Sequence, residues 1–141
     1  MRLAYVVNNA AFFVSHRLPI AEEMLERGHS VALFVGRAGS NELESQATEK
    51  LRGSNIAFHR ASFKGSGLNP FAELVGFVNM LLAIRRFNPD IMHCVSPKGV
   101  LYGALAAKLL KVPGVVLAIS GMGHLFTSKL KSNVINSSFR L

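Results

Sequence analysis

The chain has 141 residues, 50% of them apolar, which suits one domain with a sizeable core and excludes two full domains. Sixteen Lys and Arg against eight Asp and Glu give a formal net charge of +8, which favours an anionic partner such as phosphate groups, nucleic acid or a membrane surface. The single cysteine, Cys94, excludes an intrachain disulfide and indicates a reducing compartment, and its apolar neighbours predict a buried, inert thiol.

Apolar runs and turn residues alternate along the chain in the manner of an α/β protein. Residues 8–14 are predicted to form a loop, and residues 115–119 have the unbroken apolar character of a buried parallel strand. Strands are predicted at residues 3–7, 30–35, 55–62, 90–95 and 115–119. Helices are predicted from an N-cap at Ser15 to Gly28, over 41–52, from the Asn-Pro pair at 69–70 to Phe87, and over 99–111.

Two of these helices have distinctive apolar patterns. The helix that ends at Phe87 is apolar nearly all round, which predicts either deep packing or contact with another surface such as lipid. The last helix places Leu101, Leu105 and Leu109 on one face. No apolar stretch reaches the roughly 20 residues that a membrane-spanning helix needs, and the apolar run before Asn8 is too short for a signal peptide.

The alternation of strands and helices predicts a doubly wound, Rossmann-like parallel sheet of about five strands with helices on both faces. With the strand order 3-2-1-4-5, the order reverses between the first and fourth strands. A ligand crevice is then expected between loops 8–16 and 95–99, with the loop at 120–124 beside it, because ligands bind where parallel strands end.

Several side chains of these loops could hold a ligand. Lys98 at a helix N-terminus and the glycine pair Gly121 and Gly123 could bind phosphate, although a solvated lysine and a plain turn are the structural alternatives. His16 and His124 could act as acid, base or hydrogen-bond donor. The other three histidines are predicted to have no direct role, with His29 exposed, His59 half exposed and His93 packed in or near the core.

Several common chemistries lack their signatures. A dinucleotide site needs glycines after the first strand, where Asn8 and Asn9 begin the loop, and an acid after the second strand, where Gly36 and Arg37 stand. No cluster of His, Cys and acids has metal-ligand spacing, and no Gly-x-Ser-x-Gly motif is present. No cofactor or metal is therefore expected.

Several short segments follow one another in a characteristic order. They are Ser-His-Arg-Leu-Pro at 15–19, Gly-Leu-Asn-Pro-Phe at 67–71, Asn-Pro-Asp-Ile-Met-His at 88–93, Ser-Pro-Lys at 96–98, and Val-Pro at 112–113 leading to Ser-Gly-Met-Gly at 120–123. Together they resemble the N-terminal, acceptor-side domain of family 4 glycosyltransferases of the GT-B fold, most of all bacterial enzymes that build lipid-linked glycans, capsules or O-antigens. Many relatives place a histidine immediately before the first glycine of the glycine loop, where this chain has Ser120.

The resemblance implies a glycosyltransferase N-terminal domain over residues 1–126, a truncated helix or tail over 127–141, and an absent C-terminal donor-binding domain. It implies transfer of a sugar, with retention and without a metal, from a nucleotide-diphosphate sugar to a glycan acceptor that is lipid-linked. No catalytic residue is assigned. The substrate-binding candidates are Asn8, Asn9, His16, Ser96, Lys98, Ser120, Gly121, Gly123 and His124.

The expected setting is the inner face of the cell membrane, with a cytoplasmic chain bound peripherally to anionic lipid. Its partners would be the nucleotide-sugar, the acceptor, and either the missing C-terminal domain or a separate donor-domain subunit, so the chain alone is expected to be inactive. The alternative is a non-catalytic binding or membrane-recruiting subunit of a split enzyme. Nucleic acid is not expected as a partner. The net positive charge is the only feature that favours it, and no recognition motif is present.

Overall fold

The computed structural model describes residues 1–37, 42–64 and 70–119, in which five strands alternate with helices. The strands are β1 (Arg2–Val7), β2 (Ser30–Arg37), β3 (Ala57–Lys64), β4 (Ile91–Val95) and β5 (Gly114–Ala118). The helices are α1 (Ala10–His16), α2 (Leu18–Glu26), α3 (Glu42–Arg52), α4 (Pro70–Phe87) and α5 (Pro97–Leu110).

The strands form one parallel sheet in the order β3-β2-β1-β4-β5, which confirms the predicted doubly wound α/β fold. Strand β1 lies at the centre, with Ala4 opposite Ala32 of β2 and Met92 of β4. Its residues from Leu3 to Val7 are buried, as expected for a strand covered on both faces.

Side chains alternate between the two faces of the sheet and build two separate cores. Leu3, Tyr5 and Val7 face α1, α2 and α3, whereas Ala4 and Val6 face α4 and α5. Cys94 belongs to the second core. Burial raises the pKa of its thiol to about 12, which confirms the prediction of a buried, inert cysteine.

The predicted loop at residues 8–14 is wrong, because helix α1 begins directly after β1. Asn9 supplies the N-cap, with its side-chain oxygen accepting a hydrogen bond of 2.7 Å from the Phe12 N–H. Ser15, predicted as a cap, lies near the end of α1, and its hydroxyl donates to the Ala11 carbonyl at 3.0 Å. The helix therefore begins at the Asn9 cap rather than at the predicted Ser15 cap.

Helix α5 packs on the sheet through its small residues rather than its leucines. A Cβ atom on Gly99 would lie 2.7 Å from the Val6 carbonyl oxygen, and one on Gly103 would lie 2.4 Å from Cys94 Sγ. This close approach leaves Leu101, Leu105 and Leu109 pointing outward, with 46–64% of each residue exposed.

Strand β5 is an edge strand among the described residues, and the prediction that it is buried is wrong. Only β4 pairs with it, and Val115, Val116 and Leu117 are 43–51% exposed. An unbroken apolar run indicates a strand but does not reveal whether the sheet continues beyond it.

Candidate functional site

The carboxyl ends of β1 and β4 meet at the point where the strand order reverses. The chain leaves β1 at Asn8 and enters α1 on one face of the sheet, and it leaves β4 at Ser96 and enters α5 on the opposite face. Connections that diverge from adjacent strands in this way open a crevice above the sheet edge. The structure thus places Asn8 and Ser96 at the switch point where the crevice is predicted.

The turn from β4 into α5 has an unusual backbone conformation. Ser96 has φ 72° and ψ 154°, a left-handed region that residues other than glycine rarely adopt, and its N–H donates to the Ala118 carbonyl at 3.2 Å. Its side chain makes no capping hydrogen bond to the helix. Helix α5 therefore presents its positive dipole end at the crevice, with half-buried Lys98 in its first turn.

The N-terminus of α1, by contrast, already holds an anionic group of the protein itself. The carboxylate of buried Glu44, in α3, accepts hydrogen bonds of 3.0 Å from the backbone N–H groups of both Ala10 and Ala11. Asn9 accepts from Phe12, so the first three amides of α1 all have partners. The N-terminus of a helix favours a bound anion, and at α1 the Glu44 carboxylate takes that position.

Glu44 was missed by the sequence reasoning, although a signal for it was present. It lies in the first turn of the helix that follows β2, and β2 is the neighbour of β1. Helices that follow adjacent parallel strands begin at the same edge of the sheet, so an acid there can reach the start of α1.

His16 lies away from the crevice, and its expected position in a strand-end loop is wrong. It is the last residue of α1, and a helix of seven residues rises about 10 Å from its start. The exposed imidazole stacks on Phe12, with ring centroids 4.5 Å apart, and its Nδ1 lies 2.6 Å from the Ser15 hydroxyl. Its role in binding substrate stays a prediction.

The remaining candidates, Ser120, Gly121, Gly123 and His124, lie outside the described residues, and their roles stay predictions as well. Within the ranges that the structure describes, no three side chains of His, Cys, Asp or Glu are grouped so as to hold a metal ion.

Beyond the crevice, the outward faces of α4 and α5 form an extended apolar surface. Tyr102 of α5 donates a hydrogen bond to Glu73 of α4 and packs near Phe77, so the two helices lie side by side. The residues of this α4–α5 surface are Phe71, Leu74, Val75, Val78, Leu82, Leu101, Leu105 and Leu109, all exposed. None of the described helices is long and apolar enough to cross a membrane.

Exposed cations flank the α4–α5 surface, and the one acid of these two helices, Glu73, is hydrogen-bonded to Tyr102 where the helices meet. Arg85 and Arg86 end α4, and Lys108 and Lys111 lie at the end of α5. The other acid of residues 70–119, Asp90, accepts a hydrogen bond from the Arg2 backbone N–H and pairs with the Arg2 guanidinium. Apolar side chains bordered by positive charge are typical of surfaces that bind anionic membranes.

The parallel sheet in the order β3-β2-β1-β4-β5 defines a doubly wound, Rossmann-like fold. A family model described as "Glycosyl transferase 4-like" matches residues 2–140. The chain therefore belongs to the glycosyl transferase 4-like family.

Two relatives illustrate the likeness. The chain is 27% identical over 146 residues to N,N'-diacetylbacillosaminyl-diphospho-undecaprenol alpha-1,3-N-acetylgalactosaminyltransferase of Campylobacter jejuni; the match covers 100% of this chain and 37% of that protein. The crystal structure of Acinetobacter baumannii MurG superposes with a TM-score of 0.63 at 17% identity, covering 83% of this chain and 33% of MurG. The chain thus spans about a third of the length of each, and the fold is similar to that of MurG, a GT-B protein.

Proposed function

We propose that the chain forms the acceptor-side part of a glycosyltransferase that transfers a sugar from a nucleotide-diphosphate sugar to a lipid-linked glycan acceptor. The family match over residues 2–140 carries this proposal, and the name of the Campylobacter relative supports the acceptor class, because it specifies a diphospho-undecaprenol substrate. The described part of the chain contributes the crevice between Asn8 and Ser96.

In the proposed reaction, an acceptor hydroxyl oxygen forms a bond to the anomeric carbon of the sugar as the bond from that carbon to the diphosphate oxygen breaks. The nucleoside diphosphate leaves with the electron pair, and the acceptor proton is released. Negative charge grows on the leaving oxygen, so cations and amides aimed at it stabilise the transition state. The expected reaction retains the anomeric configuration and uses no metal or other cofactor.

Lys98 is the residue of the described crevice whose role is most directly testable. It lies in the first turn of α5, and we assign it to the diphosphate of the lipid-linked acceptor. Lys98→Gln should weaken binding of undecaprenyl-diphosphate-linked sugar in detergent micelles by about tenfold, the loss expected for one charge-assisted hydrogen bond. Isothermal titration calorimetry would measure this change, and Lys98→Arg should retain most of the affinity.

Lys50→Gln provides the matched control, because Lys50 is an exposed lysine of α3, on the other face of the sheet. It should leave the affinity unchanged. Equal binding by the Lys98→Gln and native chains would remove Lys98 from the site.

We further propose that the chain alone does not transfer sugar, because the nucleotide-sugar in this family is held mainly by a second domain. Turnover of nucleotide-sugar by the 141-residue chain at an ordinary enzymatic rate, about 1 per second or more, would contradict this proposal. A chain that binds acceptor or membrane without turnover fits both this proposal and the alternative of a recruiting subunit in a split enzyme.

We also propose that the protein binds peripherally to anionic membrane through the α4–α5 surface. The surface has eight exposed apolar residues on two adjacent helices and is bordered by Arg85, Arg86, Lys108 and Lys111. Such a surface is suited to contact with lipid rather than with water. This surface would bring the chain to the membrane that holds the acceptor.

The double variant Leu101→Asn with Leu105→Asn should reduce co-sedimentation with phosphatidylglycerol-containing vesicles by about tenfold or more. Two leucines that become buried in lipid contribute about 3 kcal/mol or more of membrane affinity. Leu43→Asn is the control, because Leu43 is equally exposed but lies on α3, on the other face of the sheet. Binding that is insensitive to the double variant would exclude this surface.

A further inference from the structure

Helices α4 and α5 both end at the edge of the sheet opposite to the crevice, because each runs back from the carboxyl end of one strand to the start of the next. Each helix is followed by a residue with left-handed backbone, Asn88 (φ 52°) and Lys111 (φ 54°), and a proline follows within two residues, at Pro89 and Pro113. The chain therefore turns sharply at both helix ends. Between the two turns lies a cavity of about 420 Å³.

Two exposed cations line this cavity, and none of the described residues around it is acidic. They are Arg85, in the last turn of α4, and Lys111, directly after α5, and neither forms an ion pair within the described part of the chain. Asp90 follows the turn after α4, but its carboxylate is paired with Arg2. The cavity is thus positively charged, and no described acid balances it.

The helix dipoles do not account for this concentration of positive charge. Cations are favoured at helix C-termini, where each dipole is equivalent to about half a negative charge, so two helix ends supply about one negative charge. Four cations lie at these ends, because Arg86 and Lys108 are close in sequence to Arg85 and Lys111. Four positive charges less about one leave about three uncompensated, which favours a bound anion.

The cavity is continuous with the α4–α5 surface. Leu109 belongs to that surface and also lines the cavity. On α4, exposed Leu82 lies one helical turn before Arg85, so the same face of the helix changes from apolar to cationic at the cavity. A ligand that fills the cavity and covers the neighbouring surface must therefore combine an anionic head with an apolar body.

We propose that this cavity binds the phosphodiester headgroup of an anionic glycerophospholipid, whose acyl chains lie along the α4–α5 surface. Arg85 and Lys111 bind the phosphate, and exposed Asn88 hydrogen-bonds the hydroxyl groups of a glycerol headgroup. A choline headgroup carries its own positive charge, which the surrounding cations repel, so the cavity selects phosphatidylglycerol over phosphatidylcholine. This inference rests on the membrane binding proposed above and adds the lipid class and the residues that recognise it.

Dihexanoyl phosphatidylglycerol below its micelle-forming concentration is a suitable probe, because it presents the headgroup and short acyl chains without a bilayer. NMR titration of the chain should give saturable shifts of the Asn88 and Lys111 backbone amides. Dihexanoyl phosphatidylcholine should bind about tenfold more weakly, because its headgroup has no net charge. Inorganic phosphate should also bind more weakly than the lipid, because it has no acyl chain to cover apolar surface.

The double variant Arg85→Gln with Lys111→Gln should weaken binding of the short-chain phosphatidylglycerol about tenfold or more, since two charge-assisted hydrogen bonds are lost. Arg86→Gln with Lys108→Gln is the matched control. It removes the same charge from exposed positions close by that do not line the cavity. The control should weaken binding by no more than about threefold, because only screened, long-range attraction is lost.

Four results would overturn the proposal. They are the absence of saturable binding of the short-chain phosphatidylglycerol, equal binding of phosphatidylcholine, equal losses in the two double variants, and binding of inorganic phosphate as tight as that of the lipid. Equal losses would show that the cations act through their summed charge rather than through a site. Tight binding of inorganic phosphate would assign the cavity to free phosphate instead of lipid.

The outcome for this cavity can be separated from the outcome for the membrane proposal. Suppose that co-sedimentation with vesicles is lost in the Leu101→Asn, Leu105→Asn variant, while the two cation variants bind the short-chain lipid equally. The membrane surface then stands and the headgroup site is excluded. Conversely, saturable binding of the short-chain lipid by a chain that does not sediment with vesicles retains the headgroup site and excludes the membrane surface.

Discussion

Glu44 shows how one side chain can decide what an apparent ligand site does. Its two carboxylate oxygens accept from the Ala10 and Ala11 amides, so the start of α1 is satisfied internally rather than by a phosphate. The carboxylate also lies at the positive end of the helix dipole, where negative charge is favoured. Of the helix N-termini that flank the crevice, α5 is therefore the one that we associate with substrate.

Replacement of Glu44 should lower the free energy of unfolding substantially. Glu44→Ala leaves two buried amides without acceptors and should cost about 2–4 kcal/mol, and Glu44→Gln, which retains one acceptor, should cost about half as much. Urea denaturation followed by circular dichroism would measure both values.

Glu49→Ala tests whether the loss comes from the amide contacts rather than from a changed helix charge, because Glu49 is exposed on the same helix. It should alter stability by no more than about 0.5 kcal/mol. A Glu44→Ala chain that is as stable as the Glu49→Ala chain would disprove the capping role.

At the level of secondary structure, helix α5 is placed by glycines and not by its apolar side chains. Gly99 and Gly103 let the helix backbone approach Val6 and Cys94, which brings its N-terminus to the crevice and turns its leucines outward. The close approach of α5 to the sheet therefore both places its N-terminus at the crevice and exposes the leucines of the α4–α5 surface.

Gly99→Ala should destabilise the chain by about 1–3 kcal/mol, because the new methyl group meets a backbone oxygen that cannot move easily. Thermal or urea unfolding would detect the loss. Gly53→Ala is the comparison, since its Cβ would find the nearest atom at 3.7 Å, and it should leave stability unchanged or raise it by up to about 1 kcal/mol. Equal stability of the two variants would show that α5 can shift to accept a side chain.

Charge is distributed unevenly over the whole molecule. Six of the eight acids lie between residues 22 and 49, in α2 and α3, whereas the α4–α5 surface on the opposite face is bordered by four cations and contains one acid, Glu73. The charges that make up the net +8 are thus unevenly distributed over the two faces. This uneven distribution favours one orientation of the protein at an anionic surface.

This asymmetry predicts a salt-dependent component of membrane binding. Raising the salt from about 0.1 M to about 1 M shortens the screening length from about 10 Å to about 3 Å and should weaken binding to anionic vesicles severalfold. Co-sedimentation at the two salt concentrations would measure the change, and neutral phosphatidylcholine vesicles should show little of it. Binding that is equal for neutral and anionic vesicles would exclude the electrostatic contribution.

Much of the fold could be predicted from the sequence, because local patterns specify it. Apolar runs separated by cap and turn residues indicated the five strands, and the order taken as the common one for doubly wound sheets, 3-2-1-4-5, is the observed order. Cys94 was correctly predicted as buried for the same reason, since its neighbours are apolar. The resemblance to family 4 glycosyltransferases rested on ordered motifs, and the family match confirms it.

Contacts between segments that are distant in sequence were revealed only by the tertiary structure. That Glu44 reaches Ala10, that Arg85 and Lys111 line one cavity, and that the leucines of α5 face outward all depend on how helices sit on the sheet. Periodicity identifies an apolar face but not the element that covers it, since backbone approach at a glycine can outweigh burial of a leucine. The sequence by itself therefore determined the strands, their order and the family, and long-range packing determined which groups are available to a ligand.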